Sequence, residues 1–228
     1  MNSNDIESRK VAIITGSTSG IGLDLARHLH RLGYRVAISG RRVEVGEQIA
    51  KDLDSTGATA TFVQCDVEAY SSQASLFKTI WDKWNRLDVF IPNAGIVDKG
   101  SIYNFRRRSA TVDDIPCEPD LTCTEVGWKG LIFGTTLATH FMRHNTVPGG
   151  KVIITGSIMG VHPCPTFPEY SSVKAAMLQW ARAMAPLLLK KESITVNIVL
   201  PNATDTPCMP DFKVAFLPEQ YGPLPNHH

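Results

Sequence analysis

Tyr170 and Lys174 stand four residues apart in the run Tyr170-Ser171-Ser172-Val173-Lys174. On a helix, that spacing places both side chains on one face. A Lys ammonium beside a phenol favours the phenolate and draws its pKa down from about 10. A phenol tuned in this way exchanges a proton with an alcohol or carbonyl oxygen near neutral pH. Ser157 lies thirteen residues before Tyr170, at the end of the apolar run Val152-Ile153-Ile154-Thr155-Gly156. A Tyr–Lys pair at this spacing is common on helix surfaces, so its meaning depends on the rest of the chain.

A second constellation lies near the N-terminus, in Thr15-Gly16-Ser17-Thr18-Ser19-Gly20-Ile21-Gly22. It follows an apolar run and precedes a helical pattern. Glycines there permit a tight turn and close approach to a phosphate, and the next helix presents free N–H groups to it. Gly16, Ser17, Thr18, Ser19, Gly20 and Ile21 are therefore the expected cofactor contacts. An acidic residue that would hold the adenosine ribose hydroxyls is missing after the second strand, which ends Ser39-Gly40-Arg41-Arg42. Arg41 can pair with a 2′-phosphate or stand solvated; the charge logic favours NADP(H), with NAD(H) as the alternative. Asp66 is placed to accept from an adenine amino group, with Val67 beside the ring, or to cap a helix.

The elements that must position these groups alternate along the chain. Short apolar, β-branched runs at 11–15, 35–39, 59–65, 89–92, 152–155 and 195–200 read as strands. Helical patterns fall between them at 21–32, 43–53, 71–84, 121–144 and 172–189. Continuous apolar strands imply a sheet covered on both faces. The alternation predicts a doubly wound parallel sheet of Rossmann type, an α/β/α sandwich with right-handed crossovers. Ligands bind such sheets beyond the carboxyl ends of the strands. The polar stretch 97–119 reads as an insertion or surface loop. From Pro201 the density of prolines predicts an irregular tail over 207–228.

At 228 residues the chain is expected to be one dinucleotide-binding domain, 1–228, with its core over about 9–206. A net charge of +1 gives nucleic-acid binding no support, and Arg106-Arg107-Arg108 reads as a solvated loop. No apolar run approaches a membrane span, and the polar N-terminus lacks the apolar centre of a signal peptide. Five cysteines without a CxxC pair oppose a disulfide framework and a zinc site, so no metal is expected. A reduced, cytoplasmic enzyme is the resulting expectation.

With these motifs assembled, the chain resembles the short-chain dehydrogenase/reductase family, and more loosely its fungal members similar to 15-hydroxyprostaglandin dehydrogenase. The glycine pattern matches at Thr15 to Gly22, the family's NAG motif at Asn93-Ala94-Gly95, and the catalytic set at Ser157, Tyr170 and Lys174. The resemblance implies that Ser157 bonds the substrate oxygen, Tyr170 passes the proton, and Lys174 binds the nicotinamide ribose. Asn93, Ala94 and Gly95 would flank the cofactor, and Thr206 would reach its carboxamide. It also implies a homodimer through the fourth and fifth long helices, with a tetramer as the larger alternative.

Two departures stand out. Aligned on Gly130, the family's catalytic Asn falls at Gly127, which supplies no amide. The proline-rich tail leaves little room for the family's last edge strand. Ketone–alcohol interconversion on a lipophilic molecule is the leading expectation. The alternatives are a non-redox enzyme that uses Tyr170 as acid/base (a dehydratase, isomerase or cyclase) or a silent cofactor binder. Ser157, Met159, His162 and Phe167 are the expected substrate contacts, since the segment between Ser157 and Tyr170 is mostly apolar.

Overall fold

In the computed structural model, which describes residues 8–98, 109–202, 204 and 206, six strands form one parallel sheet. They are β1 (Val11–Ile14), β2 (Arg35–Gly40), β3 (Ala60–Gln64), β4 (Val89–Ile91), β5 (Gly150–Thr155) and β6 (Ile194–Val199). Their order is β3-β2-β1-β4-β5-β6, so the winding reverses between β1 and β4. The readings of the tail 207–228 and of Arg106–Arg108 lie outside the described residues.

Alternation along each strand divides the core into two faces. Ala12, Ile14, Val36 and Ile38 pack with Ala26 of α1 (Gly20–Arg31) and Ala50 of α2 (Val43–Leu53). Val11, Ile13, Val152 and Ile154 point the other way, into a larger cluster with Phe77, Leu137 and Met177. Those three belong to α3 (Tyr70–Trp84), α4 (122–143) and α5 (Pro168–Glu192). Helix α4 runs from Thr122–Thr124 through a π-helical turn, Glu125–Lys129, into Gly130–Arg143. The result is the three-layer α/β/α arrangement that the strand–helix alternation predicts. No helix among the described residues is long and apolar enough to cross a membrane.

Two expectations need correction. Helix α5 begins at Pro168, four residues before the predicted start. Proline suits the first helical position because its missing N–H would be unpaired there anyway. Tyr170 therefore sits in the first turn. Nor does the stretch from Val97 begin as a surface loop: Val97 and Asp98 are each only 8% exposed.

Candidate active site

The carboxyl ends of the strands carry the site. Asn93 ties the ends of β1, β4 and β5 together. Its amide donates to the carbonyls of Thr15 (3.0 Å) and Gly16 (3.3 Å), and its Oδ1 accepts from the Thr155 hydroxyl (3.1 Å). Thr15 Oγ1 accepts from the N–H groups of Asn93 and Ala94. Gly16 has φ +64°, and a Cβ there would lie 2.8 Å from Ala94 Cα. Any side chain would be strained and would push apart two segments of the cavity wall.

A cavity of about 520 Å³ opens above this joint. It is of the size and apolar character that small-molecule sites have. Gly16, Thr18, Ser19, Gly20, Ile21, Arg41, Asp66, Val67, Asn93, Ala94, Gly95 and Thr206 line one part of it. Ser157, Met159, Tyr170 and Lys174 line the other. Ser19, at the N-cap of α1, makes no side-chain cap bond, so the first-turn N–H groups remain for a ligand. Arg42 bonds the Thr18 carbonyl (3.1 Å) and hydroxyl (3.0 Å), bracing the glycine turn, while Arg41 is exposed at the rim. Asp66 Oδ1 accepts from the Glu68 N–H; α3 is capped at Ala69, so Asp66 is not its N-cap.

Lys174 is buried, and its Nζ donates to the Thr155 carbonyl at 2.8 Å. The same Nζ lies 5.4 Å from the Tyr170 ring centroid. Ser157 is buried, and its Oγ accepts the Met159 N–H (3.2 Å) at the 3₁₀ turn Ile158–Gly160. That leaves the Ser157 O–H to donate to a ligand. Ile158 N–H bonds the Pro201 carbonyl (3.0 Å), joining this turn to the segment after β6.

Three expected site residues do not line the cavity. Ser17 is fully buried; its hydroxyl bonds the Ile14 carbonyl (2.7 Å) and accepts from Ser39 N (2.9 Å). It locks β1 to β2 instead of facing a phosphate. His162 is exposed, outside the cavity wall. Phe167 is 4% exposed and packs with Val97 and Cys164 behind Tyr170. Conversely, Ile96, Val97, Val126 and Asn202 line the cavity without having been picked out from sequence. Ile96 and Val97 directly follow Asn93-Ala94-Gly95 beyond a strand end, which is the signal that points to them.

Beside Tyr170, the ligand atoms of Asp98, Cys123 and Glu169 lie within 4.8 Å of one another, all three residues buried. Both carboxylates are already engaged with N–H and O–H donors, and Cys123 Sγ bonds the Ile96 carbonyl. Burial pushes the Cys123 thiol up to about 12, with the charges of Glu169 and Asp98 adding to it, which favours the protonated thiol at neutral pH.

The fold is a doubly wound α/β sheet, and its cavity brings the glycine turn together with a Ser, Tyr and Lys set at the switch point. A family model described as short chain dehydrogenase matches residues 10–213. The chain is 44% identical over 214 residues to the short-chain dehydrogenase/reductase prx6 of Penicillium rubens, covering 90% of this chain and 71% of that one. It is 28% identical over 204 residues to the NAD(+)-named 15-hydroxyprostaglandin dehydrogenase of Mus musculus, covering 88% and 69%. The structure of a single-substitution variant of actinorhodin polyketide ketoreductase with NADPH superposes with a TM-score of 0.79 at 25% identity, covering 96% and 79%. This chain belongs to the short-chain dehydrogenase/reductase family.

Proposed function

We propose that the chain interconverts a ketone and a secondary alcohol on a lipophilic small molecule, using NADP(H), with Tyr170 as acid/base. The carrying observation is that Ser157, Tyr170 and Lys174 line the same cavity as the glycine turn. When bound, a nicotinamide cofactor supplies hydride to the carbonyl carbon or takes it from the carbinol carbon. Ser157 donates its O–H to the substrate oxygen and holds it in line. In reduction, Tyr170 gives its phenol proton to that oxygen; in oxidation it accepts the proton back. Lys174, held by the Thr155 carbonyl, favours the phenolate that remains, and it would hold the ribose hydroxyls of a bound cofactor. Ile96, Val97, Val126 and Met159 make an apolar wall, which suits a lipophilic substrate.

The Mus musculus relative is named for NAD(+) and the similar ketoreductase structure holds NADPH, so the choice rests on Arg41. Its guanidinium at the rim is a partner for a 2′-phosphate, and the residues directly after β2 are Arg41 and Arg42, neither of them acidic. In equilibrium titrations, Arg41→Ala should weaken NADPH about tenfold or more and leave NADH nearly unchanged. Equal losses for both cofactors would overturn the 2′-phosphate assignment.

A second reading is favoured by Gly127, which sits where the family's catalytic Asn is expected and offers no amide. A non-redox enzyme would use Tyr170 for proton transfer alone. NADPH absorbance, followed with a panel of lipophilic ketones, separates the two. Consumption of NADPH in step with alcohol formation supports the redox reading. Product formed without cofactor turnover, and lost in Tyr170→Phe, selects the other. Cofactor bound with no product at all marks a silent binder.

A further inference from the structure

Helix α5 carries Tyr170 in a first turn that its own sequence cannot cap. Backbone N–H groups there need outside acceptors. Phe167, the N-cap residue, makes no side-chain cap bond, and Pro168 has no N–H. The two groups left are the N–H of Glu169 and the N–H of Tyr170. Both are taken by Asp98, from the segment after β4: Oδ2 accepts Glu169 N at 3.0 Å and Oδ1 accepts Tyr170 N at 2.7 Å. A carboxylate at that helix end is also favoured by the helix dipole.

The Glu169 carboxylate ties the same turn to α4. Glu169 Oε1 accepts both the N–H and the hydroxyl of Thr124, each at 2.7 Å, in the first turn of α4. Cys123 of the same turn bonds the Ile96 carbonyl, two residues before Asp98. Val97, Cys164 and Phe167 seal the arrangement with an apolar cluster against which Met159 and Tyr170 pack.

We infer that Asp98 is a positioning residue for Tyr170, one half of a two-carboxylate clamp in which Asp98 ties the first turn of α5 to the segment after β4 and Glu169 ties it to α4. The inference rests on the proposed role of Tyr170. Lys174 is held separately, by the Thr155 carbonyl. Releasing Asp98 therefore moves the phenol relative to the ammonium without detaching the ammonium. Burial raises the Asp98 carboxyl above the usual Asp range, and the charge of Glu169 adds to that. The titratable groups around it are Glu169 and Tyr170 from α5 and Cys123 from α4, with Lys174 close enough to act on Cys123. Proton uptake by Asp98 turns one acceptor oxygen into a donor facing an N–H, so the clamp loosens in acid.

Two measurements on the full chain test this. Hydrogen exchange read by mass spectrometry does not depend on turnover. In Asp98→Ala, the amides of Glu169 and Tyr170 should exchange about a hundredfold faster, with the rest of α5 unchanged. Unchanged exchange overturns the clamp whatever reaction the enzyme performs. With NADPH and acetophenone, kcat should fall about a hundredfold in Asp98→Ala and about tenfold in Asp98→Asn, which keeps one acceptor. NADPH should bind both variants at full stoichiometry with its affinity, and the acetophenone KM, within about twofold of wild type. The acidic limb of the kcat profile should be absent in Asp98→Asn. Wild-type kcat and pH profile in both variants overturn the positioning role. A wild type that reduces no ketone counts against the redox reading, and the exchange measurement still decides the clamp. Should the Ala variant fail to fold, the Asn variant carries both tests.

Discussion

Tyr170→Phe is expected to lower kcat by about 10²–10⁴-fold, the span that a positioned general acid or base contributes. Phenylalanine keeps the ring that packs against Val97, Cys164 and Phe167, so the first turn of α5 keeps its apolar seat. Lys174 keeps its bond to the Thr155 carbonyl, and the glycine turn is untouched. Cofactor affinity should therefore stay close to wild type while the chemical step fails. A fluorescence titration with NADPH beside a turnover assay reads both quantities. A variant that keeps wild-type kcat would remove Tyr170 from the proton path. A variant that loses NADPH binding to the same degree as turnover would assign the residue a structural part instead.

Gly127→Asn should destabilise the fold by about 1–3 kcal/mol, the range for overpacking a core. A Cβ at position 127 would lie 2.6 Å from Val173 Cγ1 and 3.4 Å from Met177 Cε. Val173 and Met177 are both buried on α5, so neither can step aside into solvent. Helix propensity pulls the other way, since Asn is better than Gly in a helix, but by only a few tenths of a kcal/mol. Steric conflict therefore decides the sign. Adding Val173→Ala opens room for the new Cβ, and the double variant should be more stable than the sum of the single losses by about 1 kcal/mol. Urea unfolding midpoints of the four proteins give that coupling directly. Strict additivity would mean that the Gly127–Val173 contact is not what excludes a side chain. The contact also bears on the family's missing amide: in this chain the space beside Gly127 is filled by α5, and the turn around it is π-helical. Such turns recur at functional sites.

Much of this architecture was legible in the sequence. The six strands are short β-branched runs separated by helical periods, and a buried parallel sheet needs that composition on both faces. The glycine turn was legible because its glycines stand between an apolar run and a helical pattern; the structure adds that a Cβ at Gly16, with φ +64°, would lie 2.8 Å from Ala94 Cα. What escaped sequence reading follows from side-chain direction and long-range contact. Ser17 lies within the glycine turn, yet its hydroxyl is drawn inward by the Ile14 carbonyl and the Ser39 N–H, partners set by the pairing of β1 with β2. His162 and Phe167 lie between Ser157 and Tyr170 in sequence, but the chain there passes outside and behind the cavity. Asp98 works on residues more than seventy positions away, and no periodic pattern announces such a partner. One trace of it was readable: an apolar residue before Pro168, where a helix normally carries its own polar cap. The π-helical turn at 125–129 has no sequence signature comparable to a proline or a capping box.

Hydride exchange with a ketone would take place in the cavity shared by the glycine turn and Tyr170. NADPH carrying deuterium at its transferable position, mixed with a panel of lipophilic ketones, tests it most directly. Wild type should form an alcohol with one deuterium on the carbinol carbon, and Tyr170→Phe should lose that product. Bound NADPH with no deuterium in any product would contradict hydride exchange.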